Sequence, residues 1–276
     1  MSILYIVATP IGNLADASAR LRQVLDEADV IAAEDTRRTG RLLQHLGISK
    51  KQIAFHAHSE HRHEDEVVAL LESGQKVALV SDAGTPLIAD PGFSLVKRCL
   101  ASDIEVVPVP GPSAITTALS VAGLPTTRFS FEGFVPAKPG ARKRFYQDLA
   151  GEARTLVFFE VPHRIEASLA DLASQMGESR NVCVCRELTK TYEQIIQGEA
   201  AVLADALQAG EIPSKGEFVI VVEGEAQGQS RDVDEVLTVL LEELAPSRAA
   251  AVAARLTGGK KSELYERAMH LAGTET

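Results

Sequence analysis

Val80-Ser81-Asp82-Ala83-Gly84-Thr85-Pro86-Leu87-Ile88-Ala89-Asp90-Pro91-Gly92 is the stretch whose reading decides the fold. Lys76 to Val80, just before it, is short and apolar and reads as a buried strand. Gly92 to Leu100, just after it, reads as a helix. In an open α/β sheet, ligands sit beyond the carboxyl ends of the strands. Here that position holds an acid, small residues, prolines and glycines. Asp82 can accept hydrogen bonds from hydroxyls or amines. Ala83 and Gly84 let a ligand come close to the backbone. Thr85 is a donor, and Pro86 and Pro91 fix the path of the loop. A tight strand-to-helix turn without a ligand would use the same residues, so the rest of the chain must decide.

Working outward, the same unit recurs. Ile3 to Ala8 is a continuous apolar run that ends at Thr9-Pro10-Ile11-Gly12-Asn13-Leu14. Asp16 or Ser18 is placed to cap a helix from Ala19 to Ala28. Val30 to Ala33 is a second short strand, and it delivers Glu34-Asp35-Thr36-Arg37-Arg38-Thr39. Adjacent acids beside arginines suit polar-substrate binding or proton transfer. The plainer alternative is a helix start with acids at its positive end. Glu105 to Val109 ends at Pro110-Gly111-Pro112-Ser113-Ala114, which opens a helix from Ala114 to Ala122. Amides around Ser113 are placed to hold a ligand's carboxylate or hydroxyls. Repeated strand–helix units imply a mainly parallel sheet. His56, His58, His61 and His63 crowd together before a helix from Glu64 to Glu72. Their spacing matches no metal pattern, and a polar loop near a site is the expectation.

The second half differs. Phe129, Phe131 and Phe134 alternate along an extended segment from Thr126 to Pro136, which places a domain boundary near Gly123 to Thr127. Lys138, Arg142, Lys143 and Arg144 then read as a flexible basic loop suited to a polyanion, or else as a solvated helix start. Strands are expected at Arg154–Phe159, Asn181–Cys185, Tyr192–Gly198 and Val219–Val222. Helix follows the first of these as far as Met176. Charged groups collect beyond the strand ends, at Glu160-Val161-Pro162-His163-Arg164 and Arg186-Glu187-Leu188-Thr189-Lys190. A mixed sheet follows. After a polar linker, Glu225 to Ser230, helices at Val233–Leu244, Ser247–Leu256 and Ser262–Leu271 are helix-turn-helix-like. They carry few basic residues for a DNA reader. The division expected is residues 1–123, 124–225 and 226–276.

Composition sets outer bounds. The 276 residues suggest about two domains, and 45% hydrophobic content supports ordinary cores. No apolar run is long enough to span a membrane, and the opening residues lead straight into a strand pattern, so no signal peptide is expected. Cys99, Cys183 and Cys185 have no metal or disulfide spacing. Cys183 and Cys185 alternate on a strand and should share one face, as reduced thiols in a cytoplasmic protein. The formal charge of −10 argues against a broad nucleic-acid footprint. It leaves room for local patches at Arg37-Arg38 with Arg41, at Lys138 to Arg144, and at Lys260-Lys261.

Seven motifs in order then carry a resemblance: Thr9 to Leu14, Ala33-Glu34-Asp35-Thr36-Arg37, Ser81 to Gly92, Pro110 to Ala114, Phe158 to Arg164, Arg186 to Lys190, and Lys215-Gly216-Glu217-Phe218. Together they closely resemble the ribosomal RNA small-subunit methyltransferase I family, a branch of the tetrapyrrole methylase superfamily. The one departure is Val161, where a small polar residue is expected. The resemblance implies two α/β domains with S-adenosylmethionine in the cleft between them, a small C-terminal helical domain, and a homodimer. The implied reaction is 2′-O-methylation of the ribose of a cytidine in the decoding region of 16S ribosomal RNA. The implied substrate is an assembled 30S subunit.

On that basis the cofactor set is Pro10, Asp82, Ala83, Thr85, Ser113 and Ala114 from the first domain, and Phe159, Gly216, Glu217 and Phe218 from the second. Candidates for the base that activates the hydroxyl are Asp35, Glu160 and Glu187. Arg37, Arg164, Arg186 and Lys190 are candidates for holding phosphate or a developing alkoxide. Lys138, Arg142, Lys143, Arg144 and Arg164 are the expected RNA contacts. No metal is required. A methylase acting on a tetrapyrrole, and a non-catalytic regulator that binds nucleic acid through its C-terminal helices, are the alternatives.

Overall fold

The structure, a computed structural model, describes residues 2–56, 60–225 and 233–273. Residues 1–223 and 224–276 are separate compact units. The first unit opens with β1 (Ile3–Val7), α1 (Ala19–Glu27), β2 (Val30–Ala33), α2 (Thr36–Leu46), β3 (Lys51–Ala54), α3 (Glu60–Glu72), β4 (Lys76–Val80), α4 (Phe93–Ala101), β5 (Glu105–Val109) and α5 (Ala114–Val121). Its strands form one parallel sheet in the order β3-β2-β4-β1-β5. Every β2 residue is buried, as a central parallel strand covered on both faces requires. Chains leaving β1 and β4, which are neighbours, run to opposite sides of the sheet. The crevice beyond their carboxyl ends is therefore the topological switch point.

The unit continues with β6 (Phe129–Phe134), α6 (Pro139–Leu149), β7 (Thr155–Glu160), α7 (Ile165–Met176), β8 (Asn181–Arg186), β9 (Gln194–Glu199), α8 (Ala200–Gln208) and β10 (Phe218–Val222). The second sheet has the order β6-β7-β10-β8-β9, with only β6 and β7 parallel. One face packs on α6, α7 and α8 through Tyr146, Phe158, Leu169, Leu203 and Ile220. The other is covered by α5. Ile115, Ala118 and Leu119 of that helix pack with Val157, Cys183, Cys185, Val219 and Val221. The thiols of Cys183 and Cys185 do share a face, with sulfurs 3.7 Å apart, and all three cysteines are free and buried.

Local physics explains the departures from expectation. Ser18, not Asp16, caps α1: its Oγ accepts from the Leu21 amide at 3.0 Å. The Lys138–Arg144 segment is not a flexible loop. Pro139 occupies the first turn of α6, and Tyr146 anchors that helix in the core. Element α2 realises the helix start that was the alternative reading after Glu34-Asp35, β3 and α8 complete the strand–helix alternation where no element was expected, and α3 begins a turn earlier than Glu64. Rings of His56 and His63 meet edge to face at 4.9 Å. His58 and the His61 side chain lie outside the described residues, as does the linker beyond Glu225.

The second unit contains α9 (Val233–Glu243), α10 (Pro246–Thr257) and α11 (Lys261–Gly273). They close on Leu237, Ala250, Ala253, Leu264 and Ala268. Gly258, in the left-handed region, stops α10 and makes the turn into α11. Among the described residues no helix is long and apolar enough to cross a membrane.

Candidate active site

Three loops converge at the switch point. Past β1, the Thr9 amide donates to the Gly84 carbonyl at 2.8 Å, and the Gly84 amide returns to Thr9 at 3.1 Å. Thr9 Oγ1 donates to the Ser81 carbonyl at 3.2 Å. Thr85 Oγ1 reaches the Pro112 carbonyl, past β5, at 3.4 Å. The loop after β4 is thereby tied to both neighbours. It is also strained, since Leu87 and Ala89 hold φ of 73° and 66° without being glycine. Such residues persist only where the surroundings over-determine them.

The acids of Glu34-Asp35 have different tasks. Glu34 Oε2 accepts from the Asp82 amide at 3.1 Å, and Asp82 Oδ1 accepts from the Asp35 amide at 2.9 Å. This reciprocal pair clips the end of β2 to the end of β4. Asp35 instead caps α2, accepting from the Arg37 amide at 2.8 Å and from the Arg37 guanidinium at 3.1 and 2.8 Å. Those bonds, side chain first, hold its carboxyl far below the usual range. Burial pushes Asp82 up, against the pull of Arg38 at 3.4 Å. Asp90 is pushed up to about 6 by burial first and then by the charge of Glu34.

The second sheet contributes its facing edge. Phe218 pairs with Glu160 on one side and Arg186 on the other, so the ends of β7 and β8 and the start of β10 lie together. Glu160 Oε1 accepts from the Val161 amide at 2.8 Å and from Arg164 at 3.1 and 2.9 Å. Its side chain is wholly buried, and its Oε2 has no hydrogen-bond partner among the described residues. Lys190 Nζ donates to Glu187 Oε1 at 2.7 Å and to Glu217 Oε2 at 2.8 Å. Burial pushes the Glu187 carboxyl up, but Lys190 and the Glu217 amide outweigh it and hold it low.

Two glycines make room for the Lys190–Glu187 pair. A Cβ on Gly12 (φ +155°) would lie 2.5 Å from Lys190 Cγ. One on Gly216 (φ +94°) would lie 2.5 Å from Glu187 Cγ. The Lys190 stem thus crosses the Gly12 turn of the first sheet.

Between these edges lies a cavity of about 340 Å³. Of the expected cofactor residues, Asp82, Ala83, Thr85, Ser113, Ala114, Phe159, Glu217 and Phe218 line it, as does Glu160. Pro10 and Gly216 do not line it. Nor do Asp35, Arg37, Glu187, Lys190 and Arg164, whose charges are engaged as described. Arg186, also buried, donates to the carbonyls of Lys215 and Tyr192 at 2.6 and 3.0 Å. Arg142 is turned inward, with its Nε 2.7 Å from Asp171 Oδ2 in the α7 layer, and it has no surface left for RNA. Lys138, Lys143 and Arg144 are exposed.

Glu34 and Arg38, which the sequence offered only as part of a charged segment, and Ile88, Asp90, Phe134 and Leu188, which it gave no role of their own, all line the cavity. Asp90 stood in the quoted stretch. Phe134 breaks the two-residue alternation at Gly133, where β6 changes register. That irregularity turns its ring toward Phe159, with centroids 5.4 Å apart.

The profile of the family Tetrapyrrole (Corrin/Porphyrin) Methylases matches residues 3–204, and that of the RsmI C-terminal HTH domain matches residues 227–272. Ribosomal RNA small subunit methyltransferase I of Xylella fastidiosa is 49% identical over 265 residues, 95% of this chain and 97% of that protein. The chain belongs to the ribosomal RNA small subunit methyltransferase I family. The Escherichia coli O157:H7 member is also 49% identical, over 98% of this chain and 96% of its own length. Among solved structures, uroporphyrin-III-C-methyltransferase from Thermus thermophilus superposes with a TM-score of 0.59 at 18% identity, covering 81% of this chain and 94% of that one. A cobalt precorrin-4 methyltransferase gives a TM-score of 0.60, also at 18% identity, over 80% and 95%. At that identity the likeness is one of fold. It matches the α/β architecture of the methyltransferase I family as this chain builds it from two sheets.

Proposed function

We propose that this methyltransferase moves a methyl group from S-adenosylmethionine to the ribose 2′-hydroxyl of a cytidine in the decoding region of small-subunit ribosomal RNA. The observation that carries the reading is the acid-lined cavity at the switch point of a chain in this family. Its residues fit the cofactor. A pocket of a few hundred Å³ with mostly apolar walls and few polar groups suits a nucleoside of that size. Glu34, Asp82 and Asp90 supply negative charge for a ligand carrying both a sulfonium and an ammonium. Asp82, Ala83, Thr85, Ser113 and Ala114 would hold it from the first sheet, and Phe159 and Phe218 from the second. When bound, it supplies a methyl group activated on positive sulfur.

The chain's own residues do the rest. Rigid loops, tied by the Thr9–Gly84 and Glu34–Asp82 bonds, fix the orientation of both partners, and much of the rate comes from that positioning. Phe134, 53% exposed at the cavity lining, offers a ring for a base splayed out of single-stranded RNA. Phosphates are met by Arg38 and Arg41 of α2, by Lys138 just before α6, and by Lys143 and Arg144 of α6. A chain of net charge −10 then binds RNA in a strongly salt-dependent way. The substrate is the assembled 30S subunit, and the enzyme acts as a homodimer in the cytoplasm.

The test uses purified protein, isotope-labelled S-adenosylmethionine and unmodified small ribosomal subunits, with mass spectrometry of the RNA. A new ribose-methylated cytidine is the expected result. Cofactor binding without transfer to RNA overturns the substrate and leaves a tetrapyrrole methylase. Absence of cofactor binding leaves the nucleic-acid-binding regulator.

A further inference from the structure

Where the second sheet lines the cavity, the exposed residues are Phe134, at the end of β6, and Glu217, just before β10. Only β7 lies between those two strands, so about 10 Å separates them across the sheet. Side chains alternate along β10, and Glu217 therefore falls on the face of Val219 and Val221. Phe159 packs on that same face, and the Phe134 ring meets it with centroids 5.4 Å apart. A carboxylate and an aromatic ring thus border one side of the cavity.

Glu217 is held with an oxygen to spare. Its amide donates to Glu187 Oε1 at 2.9 Å, and its carbonyl accepts from the Glu187 amide at 2.9 Å. Its Oε2 accepts from Lys190 Nζ at 2.8 Å. Its Oε1 has no hydrogen bond or ion pair among the described residues, and the side chain is 69% exposed. Backbone and carboxylate are thereby fixed before a ligand arrives, and the spare oxygen is an acceptor. The other acids at the cavity are placed differently. Glu34, Asp82 and Asp90 line it from the first sheet. Glu160 shares the opposite face of the second sheet with Phe158 and is buried against Arg164.

We propose that Glu217 reads the exocyclic amine of the target base and so selects cytosine over uracil, which rests on the function proposed above. A pyrimidine laid on the Phe134 ring, with its 4-position toward β10, bridges the gap between the two strands. Cytosine carries an amino group at that position, and the spare carboxylate oxygen accepts its N–H. Uracil carries a carbonyl oxygen there, which sets acceptor against acceptor. Stacking on Phe134 is indifferent to the change, because every base has a π-face. The ring holds a base, and the acid identifies it.

The experiment compares wild type, Glu217→Gln and Phe134→Ala as full chains. The substrates are unmodified small subunits and the same subunits with the methylated cytidine replaced by uridine. Transfer is read as kcat/KM on each, cofactor Kd is read by calorimetry, and a thermal melt shows that each variant is folded. Wild type should prefer cytidine on the order of 30-fold, the worth of one well-placed polar contact to a base edge. Glutamine keeps the shape and offers either an acceptor or a donor. Glu217→Gln should therefore lose on cytidine and gain on uridine, which brings the preference to within about threefold of unity. Its cofactor Kd should stay within about threefold of wild type. Phe134→Ala should lose roughly tenfold on both substrates and keep the preference. A wild-type preference below about threefold overturns the proposal, as does a Glu217→Gln variant that keeps the wild-type preference at any rate. A cofactor Kd weakened about tenfold in Glu217→Gln, with the preference intact, overturns it in favour of cofactor holding. A wild type that binds cofactor but transfers nothing to the cytidine subunit overturns the substrate assignment, and the role of Glu217 with it.

Discussion

Replacing Arg142 by Ala should cost stability, not RNA affinity. The guanidinium Nε lies 2.7 Å from Asp171 Oδ2, and the side chains are 5% and 13% exposed. Removing the arginine strands a carboxylate between α6 and α7. Breaking a buried pair from one side typically costs about 3–5 kcal/mol, because the surviving charge keeps its desolvation penalty and loses its partner. Lys143 Nζ, 3.7 Å from Asp171 Oδ1, relieves part of that. The expected loss is therefore at the low end, about 3 kcal/mol, which is roughly a 150-fold rise in the unfolding equilibrium constant. Lys143→Ala and Arg144→Ala, on exposed side chains, should stay within about 0.5 kcal/mol of wild type. Arg142→Met with Asp171→Leu removes both charges and should recover to within about 1 kcal/mol of wild type. Urea titration followed by near-ultraviolet circular dichroism reads the stability, and RNA binding as a function of salt reads the contact. If Arg142→Ala proves as stable as Lys143→Ala, and lowers the salt slope by one phosphate as Lys143→Ala does, then Arg142 is an RNA contact and not a buried stability pair.

Other outcomes follow from the same geometry. Gly12→Ala would place its Cβ 2.5 Å from Lys190 Cγ at a φ that L residues rarely adopt. It should cost about 2–3 kcal/mol in urea titration, and a loss below 0.5 kcal/mol would mean that Lys190 does not rest on that turn. Asp90 carries a folded-state carboxyl raised to about 6, so the folded chain binds its proton more tightly than the unfolded chain does. Wild type should therefore lose stability relative to Asp90→Asn as pH rises from about 4 to 6, and the gap should stay constant above that. After allowance for the carboxylate's partial exposure, the gap is about 1–2 kcal/mol, and thermal melts across this range would contradict it if the gap closed upward. None of the three thiols should react with a disulfide reagent in the native protein, and all three should react in denaturant. Rapid reaction of any one in the native state would show that its packing opens.

Much of the framework was legible because parallel strands are apolar runs with sharp punctuation. Ile3–Val7, Val30–Ala33, Lys76–Val80 and Glu105–Val109 announce themselves, as do the turns that follow them. What escaped was whatever depends on side-chain direction. Arg142 reads as basic in sequence, and only the turn of α6 sends it inward to Asp171 while Arg144 faces water. Glu34 and Asp35 are adjacent, yet one faces the cavity and the other caps a helix. Element α2 was legible only as an alternative and β3 was missed, for separate reasons. The arginines of α2 mask its buried stripe of Thr39, Leu42 and Leu43, and β3 has only four residues, of which Ile53 alone is buried.

Helix α5 belongs by sequence to the first sheet, as the last crossover after β5, yet its apolar side is the roof of the second. The two sheets share a component, as a drawer shares its front with the cabinet. Cutting the backbone at the Gly123 turn would leave one fragment with a sticky helix and the other with an open sheet. Neither would keep well alone in water, and each carries the other's missing surface. The same roof makes that junction a natural place to divide the chain into halves that find each other, with the ligand cavity restored only when they do.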